Sequence, residues 1–152
     1  MSYSNIVEKV RAFNRFYMPA MNLLGNHYLG SEYSVTEARV FFEIYQSEGC
    51  NAAHIARVMN IDKSYLSKIL AGYEKSGYLW KVSSARDRRA WDLFLTEKGK
   101  QRAEELIRKS NEEIEAILRE LSAEDRLRME QAFDTIIELL QKGGCYNENR
   151  SI

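Results

Sequence analysis

Proline, glycine and cysteine are all scarce in this sequence. One proline, Pro19, and eight glycines in 152 residues leave few chain breakers, which favours long helices over an all-β fold. The two cysteines, Cys50 and Cys145, lie far apart and make no disulfide framework. The expected setting is therefore a cytoplasmic one with reduced thiols, with Cys50 a small packing residue and Cys145 a tail residue without a role. No apolar run approaches the roughly 20 residues that span a bilayer. Residues 1–9 lack the basic start and apolar stretch of a signal peptide, so no membrane partner is expected. Histidine is equally thin. Cys50 and His54 stand four apart with no other Cys or His near them, whereas zinc takes about four ligands, or three plus water. Neither metal nor cofactor is expected. There is no nucleophile motif and no phosphate-cradling glycine loop. The pairs Glu104-Glu105 and Glu112-Glu113 sit among Lys and Arg as solvated helix faces, and nothing here reads as an enzyme.

What is present is an uneven charge. Net charge is zero, with 45% hydrophobic and 29% charged residues, ordinary for a soluble globular chain and too apolar for a disordered one. From Arg57 to Arg102, however, eleven Lys/Arg face five Asp/Glu, a net of +6, and the remainder carries −6. A basic centre with acidic flanks suggests that one part meets a polyanion and another does not.

Periodicity places six helices. Ser4 is expected to cap the first. Ile6, Val7, Val10, Phe13, Phe16 and Tyr17 make one apolar stripe, and Pro19 is expected to end or bend the helix near Met18. Residues 21–33 are ambiguous. Ser34 or Thr36 begins a second helix closed by Gly49. Asn51 caps a short third helix over 52–59, and Asn60-Ile61 turns the chain. Asp62 caps a fourth over 63–75, which Gly77 closes in a left-handed conformation. The period then changes to two. Residues 78–82 and 91–95 read as strands around the polar tip 83–90. Thr96 caps a long fifth helix to about Arg119. Ser122 caps a sixth, ending at Gly143-Gly144.

Helices three and four with the hairpin after them form a helix-turn-helix followed by a wing, a mainly α (α+β) winged-helix fold. In such a unit the second helix enters the major groove by its N-terminal end. Here that end offers Lys63, Ser64, Tyr65, Ser67 and Lys68, suited to phosphates and base edges. Taken alone, these residues read equally well as a solvated helix face. The tip adds Arg86, Asp87, Arg88 and Arg89. Three cations so close repel one another until an anion arrives, and arginine suits a narrow minor groove. A loop kept soluble by charge is the plainer reading of the same residues. Asp87 is expected to pair with the Arg89 guanidinium and fix its direction.

Ser34-Val35-Thr36-Glu37-Ala38-Arg39-Val40, then Ile55-Ala56, Leu70 to Gly77, Asp87-Arg88-Arg89 and Leu93-Phe94-Leu95-Thr96-Glu97-Lys98-Gly99 resemble the core of the MarR (multiple antibiotic resistance regulator) family. The resemblance implies a homodimer interlocked through its first, fifth and sixth helices on a pseudo-palindromic double-stranded DNA operator. It gives Asp87 and Arg89 the paired wing role, with Arg89 in the minor groove. It also implies a small aromatic or phenolic effector, for which Phe13, Phe16, Tyr17, His27, Tyr28, Phe41 and Tyr45 are the cleft candidates; aromatic residues at such spacing also read as plain core. Phe13 to Tyr17 and Tyr33 to Glu43 further resemble a branch fused to an acetyltransferase domain, of which no catalytic part is expected here. The expected divisions are 1–33 (dimerisation helix and connector), 34–99 (winged helix-turn-helix), 100–144 (dimerisation helices) and 145–152 (tail). The expected function is a dimeric, sequence-specific transcriptional regulator, a repressor, open to ligand control. The rivals are a winged helix used for protein–protein contact and, last, a cysteine-dependent enzyme.

Overall fold

A computed structural model describes residues 3–144; Cys145 and the tail lie outside them. The elements are α1 (Ser4–Ala20), α2 (Val35–Gln46), α3 (Ala52–Met59), α4 (Lys63–Lys75), β1 (Leu79–Ser83), β2 (Trp91–Leu95), α5 (Glu97–Leu118) and α6 (Ala123–Lys142). A single 3-10 turn at Tyr28–Gly30 interrupts the ambiguous connector. Six helices with one hairpin are the expected architecture.

Local chemistry sets most boundaries. Ser34 and Glu37 form a reciprocal capping box on α2, so Ser34, not Thr36, is its cap. Asn51, Asp62, Thr96 and Ser122 each accept first-turn N–H bonds. Asn60, at φ 53°, closes α3 while the Ile61 N–H returns to the Ala56 carbonyl at 3.2 Å. Gly77, at φ 79°, closes α4 the same way, with the Tyr78 N–H on the Tyr73 carbonyl at 2.9 Å. That bond delays β1 by one residue from its expected start, because Tyr78 is still closing the helix.

Two expectations about α1 need correction. Ser4 lies inside the helix and Tyr3 holds the cap position. Pro19 does not end the helix near Met18, since α1 runs to Ala20. A proline so close to the C-terminus is tolerated because the Met21 and Leu23 N–H groups still reach the Tyr17 and Met18 carbonyls, both at 2.9 Å.

Among the described residues, every buried side chain lies between Ser31 and Leu106. Val40, Phe41 and Ile44 of α2 meet Ile55 of α3, Leu66, Leu70 and Tyr73 of α4, Leu79, Leu93 and Leu95 of the hairpin, and Ala103 and Leu106 of α5. The rings of Phe41 and Tyr73 stack at 3.9 Å. The strands pair antiparallel, Leu79 opposite Leu95 and Ser83 opposite Trp91. Gly49 and Cys50 add a third rung beside β2: the Gly49 N–H donates to the Leu93 carbonyl (2.9 Å) and the Leu93 N–H to the Cys50 carbonyl (2.8 Å).

The start of α5 is latched to the end of α4. Thr96 caps α5 and donates its hydroxyl to the Gly77 carbonyl at 2.6 Å. The Thr96 N–H donates to the Tyr78 carbonyl at 2.9 Å. Lys98 donates to the Ser76 carbonyl at 3.0 Å. Gly99 is required by close approach, since a Cβ there stands 2.1 Å from the Tyr78 oxygen. The helix that leaves the core is thus tied to the one that bears the candidate recognition residues.

Candidate nucleic-acid interface

The first turn of α4 is built by its cap. The Asp62 carboxylate accepts the Ser64 and Tyr65 N–H groups at 3.0 and 3.1 Å, so its charge is spent on the helix end. Leu66, Ile69 and Leu70 turn inward and are buried. Lys63, Ser64, Tyr65, Ser67 and Lys68 are all exposed. Asn51 accepts the His54 N–H at 2.8 Å and fixes the start of α3 beside them.

The wing tip differs from expectation in one respect. The Asp87 carboxylate accepts the backbone N–H of Arg89 at 2.9 Å, while the Asp87 carbonyl accepts the Ala90 N–H at 3.0 Å. Among the described residues no ion pair joins Asp87 to the guanidinium of Arg86, Arg88 or Arg89. Asp87 therefore shapes the turn instead of aiming the guanidinium. A tight side-chain-to-backbone ring two residues on is the shorter reach for an aspartate. The three arginines remain exposed at the tip.

Helix and wing face each other across a cleft of about 390 Å³, lined among others by Asn51, Lys63, Ser67, Lys81, Arg89 and Trp91. Lys63, Ser67, Arg89, Asp87 and Asn51 come together there from three elements. Ser64, Tyr65, Lys68 and Arg88 stand outside it. Arg86 borders a neighbouring hollow with His54 and Arg57. Lys81 and Trp91 also line the cleft, and the sequence reading did not single them out. Their signal was present: the strand alternation puts Leu79, Lys81, Leu93 and Leu95 on one face, and a lysine there has no place in a core. Lys81 lies 3.4 Å from Glu74.

Two of the seven expected cleft residues meet at one cavity. A cavity of about 360 Å³ lies between α2 and α5, lined among others by Tyr28, Arg39, Phe41, Phe42, Leu106 and Ser110. Tyr28 and Phe41 belong to the expected set; the other five candidates do not border the cavity. Phe13 stacks on Tyr17 at 5.0 Å, and Tyr17 meets Phe133 of α6 edge-on at 6.1 Å. Phe16 is 76% exposed. His27 bonds the Ser31 carbonyl through Nδ1 at 3.1 Å. Tyr45 donates to Glu104 at 3.2 Å. Arg39 and Phe42 were missed, although Val35, Arg39 and Phe42 recur at helical spacing beside the core stripe. The Arg39 guanidinium is held 2.6 Å from the buried Glu43 carboxylate, and the Tyr28 and Ser110 hydroxyls bond at 3.2 Å.

Cys50 is half-buried, and burial followed by the Glu43 charge pushes its thiol up to about 11. That is the opposite of what a nucleophilic cysteine needs. Among the described residues no group of three or more His, Cys, Asp and Glu is placed to hold a metal ion, and no helix is long and apolar enough to cross a membrane.

The chain is similar to known proteins at two levels. Its residues 32–90 match the MarR family. A curated relative, the HTH-type transcriptional regulator BilQ of Clostridioides difficile, is 27% identical over 71 residues. That match covers 45% of this chain and about half, 48%, of the relative. Among solved structures, FabT of Streptococcus pneumoniae in complex with DNA superposes with a TM-score of 0.67 at 22% identity, covering 93% of this chain and 99% of that one. A mutant MarR from E. coli complexed with operator DNA gives 0.70 at 17% identity, covering 90% and 98%. Wild-type MarR from E. coli in its apo form gives 0.69 at 15% identity, covering 90% and 97%. The solved structures share the fold described above, and residues 32–90, the segment from just ahead of α2 through the wing tip, are what matches the MarR family.

Proposed function

We propose that the chain is a homodimeric regulator that binds duplex DNA sequence-specifically, with α4 in the major groove and the Arg86–Arg89 wing tip in the adjacent minor groove. The observation that carries this reading is the cleft where Lys63 and Ser67 of α4 face Arg89 of the wing. Cations on both rims of one concave surface match a polyanion that runs between them. The solved complexes of FabT and MarR with DNA support the same docking by shared fold.

Dimerisation rests on the outer helices. Ile6, Val10 and Phe13 of α1 and Ile136, Ile137 and Leu140 of α6 are all at least 40% exposed. An apolar surface of that kind is covered in a stable soluble assembly, and a second copy supplies the matching surface by two-fold symmetry. Two α4 helices then fall in successive major grooves, about 34–36 Å apart or a multiple of that. Repression in the cytoplasm, by a dimer that occludes its operator, is the regulatory sense assigned here.

The cavity between α2 and α5 suits a small aromatic or phenolic effector, since Tyr28, Phe41 and Phe42 give apolar walls and Arg39 a charge. Because α5 continues from the core toward α6, a ligand wedged there would change the angle of the winged lobe. It can shift DNA affinity only by its differential affinity for the two lobe arrangements.

A salt titration tests the central reading. Affinity for a mixed-sequence duplex should fall linearly in log–log form as salt rises, by roughly 0.9 per phosphate neutralised. Binding that ignores salt, or no shift of any duplex by micromolar protein at low salt, returns the chain to the protein–protein reading. Selection of bound fragments from genomic DNA then identifies the operator.

A further inference from the structure

Two tryptophans sit on opposite faces of the wing. Trp80 stacks on Phe94 at 4.8 Å, on the face turned away from α4. Trp91 lies on the other face, in register with Ser83, and lines the cleft with Lys81, Lys63, Ser67 and Arg89. It follows the core face of β2, yet is 53% exposed where the buried Leu93 and Leu95 are at most 3%. The strand has run past the end of the core, and its inward face hangs over open space. Among the described residues none accepts from the Trp91 indole N–H. A large aromatic in such a place leaves apolar surface wet and a donor unpaired, an arrangement that a partner relieves.

The grooves of a duplex identify that partner. A major and the adjacent minor groove are separated by one sugar–phosphate strand. If α4 occupies the first and the wing tip the second, that strand must pass through the cleft between them. We propose that Trp91 and Lys81 form the seat of this crossing strand, Trp91 packing on a deoxyribose and donating its N–H to a phosphate, and Lys81 adding a second phosphate contact. The proposal rests on the DNA-binding reading above. Lys81 lies beside Glu74 in the free protein, so the carboxylate holds the ammonium at the cleft wall until the phosphate arrives. Neither residue reads a base edge, so both act on affinity for every sequence alike.

The test uses the full chain and a fluorescein-labelled mixed-sequence duplex at low salt. Anisotropy of the label reports binding. In Trp80→Phe, which should bind like the parent, Trp91 is the sole tryptophan and its emission reports contact. Saturable change of that emission in step with anisotropy is expected. Trp91→Ala should weaken binding about tenfold, the loss of one hydrogen bond to a charged group, with an unchanged circular dichroism spectrum and oligomeric state. Lys81→Gln should lower the slope of log affinity against log salt by about one. If the duplex binds the parent yet Trp91 emission stays flat, or folded Trp91→Ala binds like the parent, the seat is wrong while the DNA reading stands. If Trp91→Ala misfolds, the emission change and the Lys81→Gln slope still decide. A parent that binds no duplex overturns the DNA reading itself, and the seat with it.

Discussion

Phe41 and Ile44 on α2 are fully buried, whereas Ile136 and Ile137 on α6 keep 40% and 51% of their surface exposed. Both pairs are large apolar residues within amphipathic helices. The difference lies in what surrounds them. Helices α2, α3, α4 and the first half of α5 close around one centre together with the hairpin. Helices α1 and α6 bury no residue and touch through Tyr17 and Phe133. The winged core is complete within one chain, and in the proposed homodimer the outer helices would be half of an interface. Stability of the first kind is independent of concentration; stability of the second kind follows mass action.

The sharpest way to break this contrast is to damage the core. Phe41→Ala removes a ring stacked on Tyr73 and packed edge-on against Tyr33 and Tyr78. It should cost about 3–5 kcal/mol and lower the thermal midpoint equally at all protein concentrations. Gly99→Ala should cost about 3 kcal/mol, because the obstructing atom is the Tyr78 backbone oxygen and cannot swing away. A Gly99→Ala protein that melts like its parent would remove the α4–α5 latch from the account.

Ile137→Asp strikes the other region. It should weaken self-association by on the order of 3 kcal/mol, a factor above a hundred, while the circular dichroism of the monomer stays helical. Sedimentation against concentration measures both. A mutant that sediments as its parent removes α6 from the interface; one that unfolds outright shows that the outer helices belong to the core after all.

Smaller effects separate the wing from both regions. Arg89→Ala should weaken binding to any duplex by roughly 1–3 kcal/mol with melting point and oligomer unchanged. Asp87 sharpens the point. Because its carboxylate accepts a backbone N–H, Asp87→Asn should keep the turn and bind at least as well, having lost a negative charge. Asp87→Ala should lose about 1 kcal/mol, the worth of a local side-chain-to-backbone bond. Equal damage from Asn and Ala would restore the guanidinium pairing that the sequence alone suggested.

That suggestion shows where sequence reading stopped. Asn51, Asp62, Thr96 and Ser122 were legible because a cap is decided within four residues, and Gly77 because a left-handed closure is a local demand. Leu66, Ile69 and Leu70 were legible from period alone. The exposure of the candidate recognition face and of the wing tip followed once the helix-turn-helix and hairpin were placed. Asp87 was not legible in full, because the backbone and side chain of Arg89 are equally near in sequence and only the turn geometry chooses. The cavity was not legible because α2 and α5, far apart in the chain, create it; Arg39 and Phe42 enter from α2, while Phe13 and Tyr17 leave for α6. Trp91 was hidden because a strand pattern says which face a residue takes and not where the core beneath it ends.

Cys50 supplies the smallest and most local test of the contrast. Its backbone is pinned to Leu93 and its thiol is raised to about 11 by burial and by Glu43. An acid whose folded value is raised favours the native state below the ordinary thiol range, and that contribution fades as pH climbs toward about 11. At about pH 8 the folded thiol is thus protonated, and iodoacetamide should label it on the order of a hundredfold more slowly than a thiol of ordinary acidity. Peptide mapping scores Cys145 separately. Phe41→Ala should speed Cys50 labelling because it opens the core, whereas Ile137→Asp should leave the rate alone, since α6 lends Cys50 no cover. Cys50→Ser should alter neither the dimer nor duplex binding. Fast labelling in the parent, or equal acceleration by both variants, would mean that core and outer helices open together and that the boundary between them is not where burial draws it.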